Sequence, residues 1–217
     1  MPKPLVNFEE SNSYYMVKVS KPSLKYIDFF LKLSFSGELL NSRFFPNAKE
    51  ISETQGVFVA ALHKLNLDYK SEDILAIVVG DGFAPRTGYY ISYLTKWSVI
   101  SVDPNMKRDF EKIEKIISLK KNLNIFSHKI EDIKITVPEN IKRVIFFFVH
   151  SHASLKNSME VLEYGHKLRV DAISIPCCYN DDLGILPSLE YSDPFILSIH
   201  RKVQVYKDIK INQDMLK

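Results

Sequence analysis

The chain has 217 residues, 46% of them hydrophobic, and a net charge of +3, which is enough for one α/β domain with a peripheral extension. The mild basicity permits contact with nucleic acid without indicating it. No apolar run reaches the roughly 18–20 residues of a membrane span, and Met1-Pro2-Lys3-Pro4 lacks the apolar core of a signal peptide. The two cysteines, Cys177 and Cys178, are adjacent and build no disulfide framework. The expectation is a cytoplasmic protein with no membrane partner.

Taken in chain order, Ser13 to Val19 suggests a short strand and Leu24 to Leu33 a helix with Leu24, Ile27, Phe30 and Leu31 on one face. Asn47 with Glu50 three residues later forms an N-cap pair. The helix it starts places Ile51, Phe58, Leu62 and Leu65 on one stripe. Residues 1–70 are therefore expected to be a mainly helical extension, and residues 71–217 a Rossmann-like domain.

From Asp73 onward, strand and helix patterns alternate. The expected strands are 74–79, 98–103, 123–127, 143–149 and 171–176, with helices at 86–96, 106–121 and 155–168. The run Val144-Ile145-Phe146-Phe147-Phe148-Val149 has no polar alternation, as expected of a central parallel strand covered on both faces. Phe195–Ile199 and Val203–Tyr206 read as a closing antiparallel pair. This pattern predicts a doubly wound, mostly parallel sheet with helices on both faces and an antiparallel C-terminal strand.

The sharpest feature is Val78-Val79-Gly80-Asp81-Gly82-Phe83-Ala84-Pro85-Arg86-Thr87-Gly88, which holds three of the seven glycines in the chain. An apolar strand precedes it, a helix follows, and the next strand ends on Asp103. Glycines let backbone amides approach a ligand, while a strand-terminal acid accepts hydrogen bonds from ribose hydroxyls. A nucleoside-containing cofactor is implied. For a dinucleotide fingerprint the third glycine would fall at Pro85, so an NAD(P)-dependent oxidoreductase is the weaker alternative.

These residues resemble a class I S-adenosylmethionine-dependent methyltransferase over about residues 73–207. Gly82-Phe83-Ala84-Pro85-Arg86-Thr87-Gly88 is similar to the loop of the RNA and cap ribose 2′-O-methyltransferases. The resemblance implies S-adenosylmethionine as cofactor, with Gly80, Asp81, Gly82, Pro85 and Thr87 around it, Asp103 on its ribose and Asp132 near its adenine. RNA or a nucleoside is the expected acceptor. The chain departs from that pattern in three places. The usual acid ending strand 1 is missing, with Asp81 one or more positions late; Arg86 stands where glycine is usual; and the 2′-O catalytic set is absent. A non-catalytic member serving as a binding or structural subunit is therefore the competing reading.

His150 and His152 follow the central strand, where a doubly wound sheet builds its active site, and are the candidate catalytic residues. Cys177, Cys178 and Tyr179 follow strand 5. Adjacent cysteines chelate one ion poorly, so no metal site is expected. The basic pairs Lys107-Arg108, Lys120-Lys121 and Lys142-Arg143 are interleaved with acids and read mainly as solvated faces.

Overall fold

A computed structural model of the protein describes residues 7–10, 15–18, 24–41, 43–106, 122–176 and 184–210. Two short strands, β1 (Asn7–Glu10) and β2 (Tyr15–Lys18), pair antiparallel. Three helices follow: α1 (Lys25–Leu31), α2 (Ser36–Asn41) and α3 (Ala48–Lys64). Asn47 caps α3 as its sequence predicts, its side chain accepting the Glu50 amide at 3.1 Å.

The alternating region contains β3 (Ile74–Val79), α4 (Arg86–Leu94), β4 (Ser98–Val102) and β5 (Leu123–Phe126). Next come β6 (Ile135–Thr136), β7 (Arg143–Val149), α5 (Leu155–Glu160) and β8 (Leu162–Glu163). β9 (Arg169–Ile175), β10 (Leu189–Ser192) and β11 (Lys202–Tyr206) complete it. Seven strands form one sheet in the order β10-β11-β9-β7-β3-β4-β5. The pairs β9/β7, β7/β3, β3/β4 and β4/β5 are parallel, and β11 is antiparallel to both its neighbours. This is the doubly wound, mostly parallel Rossmann-like sheet that the sequence pattern predicts.

Strand alternation feeds two cores. Ala76, Val78, Ile145 and Phe147 face a layer that includes Phe30, Val57, Phe58, Tyr90 and Trp97 from the helical side. Leu75, Ile77, Val79, Phe146 and Phe148 face the opposite layer, with Leu155 and Met159 of α5. β7 carries no polar residue between Val144 and Phe148 because neither of its faces meets water.

Three local expectations are corrected. Phe195–Ile199 is not a strand: Ile196, 1% exposed, plugs the space beside Gly56 of α3 instead. The partner of β11 is β10, so the antiparallel strand lies one place in from the edge. The helix expected over 155–168 stops at Glu160, because Leu162–Glu163 pairs with Ile135–Thr136. The helix expected over 106–121 falls almost wholly outside the described residues.

Candidate functional site

Carboxyl ends of parallel strands are where doubly wound sheets bind ligands, at the point where successive connections leave in opposite directions. Here that point lies between β3, whose chain runs on to β4, and β7 on its other side. The three loop glycines do different work. Gly80 turns the chain at φ +77°, and its amide donates to the Val102 carbonyl at 2.8 Å. A Cβ there would lie 2.5 Å from Ser151 Oγ, so its open side is filled by protein. Gly88 lets α4 pack on β4, since a Cβ would lie 2.9 Å from Ser101 Cβ. Only Gly82, at φ +85°, faces little besides the mobile end of a side chain, Arg86 Nη2 at 2.8 Å.

Asp81 closes the loop from behind. Its carboxylate is 4% exposed and accepts the amides of Thr87 (2.9 Å) and Gly88 (3.0 Å) and the Ser101 hydroxyl (2.8 Å). Burial pushes this carboxyl above its usual range, against the pull of those donors and of the Arg86 charge. Pro85 and Thr87 are buried beside it, and the Thr87 hydroxyl meets Thr54 of α3 at 3.2 Å. The first free amides of α4 are thus held by a carboxylate of the same chain.

Asp103, 7% exposed, stands at the end of β4 and bridges two loops. Oδ2 accepts the Gly82 amide at 2.8 Å and Oδ1 the Asn105 amide at 2.7 Å. Each carboxylate oxygen retains a second lone pair for another donor. Gly82, with its open side, and Asp103, with its spare acceptors, therefore fit the ribose edge of an adenosine-type ligand. Asp132 is exposed in a single 3-10 turn, Ile130–Asp132, and among the described residues no hydrogen bond links it to this loop.

At the end of β7, His150 adopts the left-handed φ of +55°, uncommon outside glycine. Its Nε2 lies 2.6 Å from Oε1 of Glu53, a fully buried residue of α3. Burial raises the Glu53 carboxyl, but the hydrogen bond and charge of His150, the Lys49 charge and the nearby Ser198 hydroxyl together hold it below the usual glutamate range. Among the described residues neither Glu53 Oε2 nor His150 Nδ1 has a hydrogen-bond partner, although both are buried. Lys49 Nζ faces that Oε2 at 3.4 Å, and Arg86 Nη1 pairs with Glu50 Oε2 at 2.8 Å. The His200 ring lies 6.2 Å from that of His150. His152 is exposed beyond it.

Sequence reasoning missed Glu53 and the Glu50–Arg86 pair. The signal for Glu53 was the polar run Ser52-Glu53-Thr54-Gln55 on a helix that proves buried all round at this turn. Cys177, Cys178, Tyr179, Lys107, Arg108, Lys120 and Lys121 lie outside the described residues. Among the described residues no cluster of His, Cys, Asp and Glu suits a metal ion, and no helix is long and apolar enough to cross a membrane. A mostly apolar groove of about 740 Å³ lies elsewhere, between α1 and α3, with Phe29, Phe58, Leu62 and Phe195 in its walls.

Comparison with protein families finds no match, and neither does comparison with curated proteins. Solved structures of similar chain path include a mutant of MtNAS in complex with S-adenosylmethionine, at 16% identity and a TM-score of 0.46, covering 86% of this chain and 72% of that one. A SAM-dependent methyltransferase from Aquifex aeolicus is 16% identical, with a TM-score of 0.45 over 79% of this chain and 98% of its own. An rRNA methylase from Streptococcus thermophilus is 15% identical, with a TM-score of 0.40 over 75% and 95%.

Proposed function

We propose that the protein binds S-adenosylmethionine across the carboxyl ends of β3 and β4 and acts as a methyltransferase, with RNA or a nucleoside as acceptor. The observation that carries the reading is the Asp103 carboxylate beside the Gly82 amide, 2.8 Å apart. It sets an acceptor for ribose hydroxyls next to the loop glycine whose free side meets only the end of the Arg86 side chain. Asp81 separates this ligand from a dinucleotide. A pyrophosphate needs the amides at the start of a helix, and here Asp81 already holds those of Thr87 and Gly88. S-adenosylmethionine carries no phosphate, so that closure does not oppose it.

When bound, the cofactor supplies an electrophilic methyl group on a sulfonium. The chain supplies the rest. Gly82 and Asp103 hold the ribose, and Asp81 keeps the loop in place. His150 and His152 stand on the acceptor side, at the end of β7. His150, its ring anchored to Glu53 through Nε2, and the exposed His152 are the groups that take the proton from an O–H or N–H acceptor. The acceptor class follows the loop's resemblance to the RNA 2′-O enzymes.

Calorimetry with S-adenosylmethionine, S-adenosylhomocysteine, NAD and NADP tests the reading. We expect the first two to bind with dissociation constants of roughly tens of micromolar, equivalent to about −6 to −7 kcal/mol. Binding of NAD or NADP alone would overturn it.

A further inference from the structure

The carboxyl ends of β4, β3 and β7 lie side by side. A ligand with its ribose on Asp103 and its chain passing Gly82 extends over the end of β7, two strand spacings or about 10 Å away. At that end α3, which precedes the sheet in the chain, places Lys49, Glu50 and Glu53 against Arg86 and His150.

Two features of this cluster point to a ligand. The first is a fully buried carboxylate with an unsatisfied oxygen. Glu53 is 0% exposed, its Oε2 accepts no hydrogen bond among the described residues, and its cationic neighbour there is the Lys49 ammonium at 3.4 Å. Buried carboxylate oxygens ordinarily have a donor. Lys49 is 41% exposed, and its ammonium is shared with Glu50 Oε1 at 3.6 Å rather than held by Oε2 alone. The second feature is Arg86, which is partly exposed and, among the described residues, contacts acceptors through Nη1, to Glu50, and through Nη2, to the Asp81 carbonyl. A guanidinium has five N–H donors, so Arg86 keeps some for another acceptor.

Resting on the cofactor reading above, we infer that this cluster is the subsite for an α-amino-acid zwitterion, the far end of that same ligand. Glu53 Oε2 receives the ammonium in the place Lys49 holds, and Arg86 receives the carboxylate. A phosphate would face the carboxylates of Glu50 and Glu53, and a simple amine would leave Arg86 unused. Both signs are required, and the two sit on different elements, α3 and α4. The carboxylate missing from the end of β3 is thus supplied from the helical segment before the sheet.

Calorimetry with S-adenosylhomocysteine and with methylthioadenosine, which has the same adenosine thioether but no amino-acid arm, separates the two halves of the ligand. Glu53→Gln should weaken S-adenosylhomocysteine by at least about tenfold while changing methylthioadenosine by less than about twofold, since only the former carries the ammonium. Lys49→Ala, at an exposed position, should tighten S-adenosylhomocysteine and leave methylthioadenosine unchanged, and it carries the test if Glu53→Gln does not fold. Equal losses for both ligands, or no change in either variant, would overturn the subsite while the cofactor reading stands. An unaltered protein that binds neither ligand overturns both.

Discussion

Glu53 and His150 meet at 2.6 Å although 97 residues separate them in the chain, joining α3 to the carboxyl end of the central strand β7. The contact fixes where the helical segment sits over the sheet. It also makes one buried carboxylate sensitive to pH.

The Glu53 carboxyl is held below its usual range, so its contribution to stability is complete above the unfolded glutamate value of about 4.3 and is lost as pH falls through the lower, folded value. Thermal melts of the wild type and Glu53→Gln should therefore differ most near neutrality, with the wild type more stable. The gap should close as the medium is acidified below that range. A gap that stays constant down to strong acid would show that the carboxylate charge contributes nothing.

Asp81→Ala removes the carboxylate that holds the Thr87 and Gly88 amides and the Ser101 hydroxyl. Loss of a helix cap combined with buried donors left without acceptors should cost about 2–4 kcal/mol. Chemical denaturation measures this directly. A cost below about 0.5 kcal/mol, the level of an ordinary surface change, would mean that α4 does not depend on Asp81.

Gly80→Ala should destabilise the fold by at least about 1–2 kcal/mol from its left-handed φ alone. More is added because the new methyl meets Ser151 Oγ at 2.5 Å. Melting temperatures of Gly80→Ala and the wild type check it, and equal values would contradict the turn described here.

The sheet was legible because its signals are local. The apolar runs at Ile74–Val79 and Val144–Val149 became β3 and the centre of β7, and Asn47 with Glu50 started α3. Gly80, Gly82 and Asp103 drew notice for the same reason, through a short spacing across one βαβ unit. What sequence could not show depends on tertiary contact. Phe195–Ile199 has the composition of a strand, yet Ile196 packs into α3 beside Gly56. β10 (Leu-Glu-Tyr-Ser) is half exposed on an edge and lacks the pattern of a buried strand. Glu53 is an ordinary helical acid until the fold brings His150 and Arg86 to it. Asp81 was read as facing a cofactor, whereas the fold turns its carboxylate towards α4.

Proton–nitrogen correlation spectra of the labelled protein, titrated with S-adenosylhomocysteine, test the central claim most directly. The account predicts that the amides of Gly82, Asp103 and Asn105 shift together and saturate, with the α1–α3 groove around Phe29 and Leu62 unmoved. Shifts confined to that groove, with the Gly82 and Asn105 signals unchanged, would contradict it.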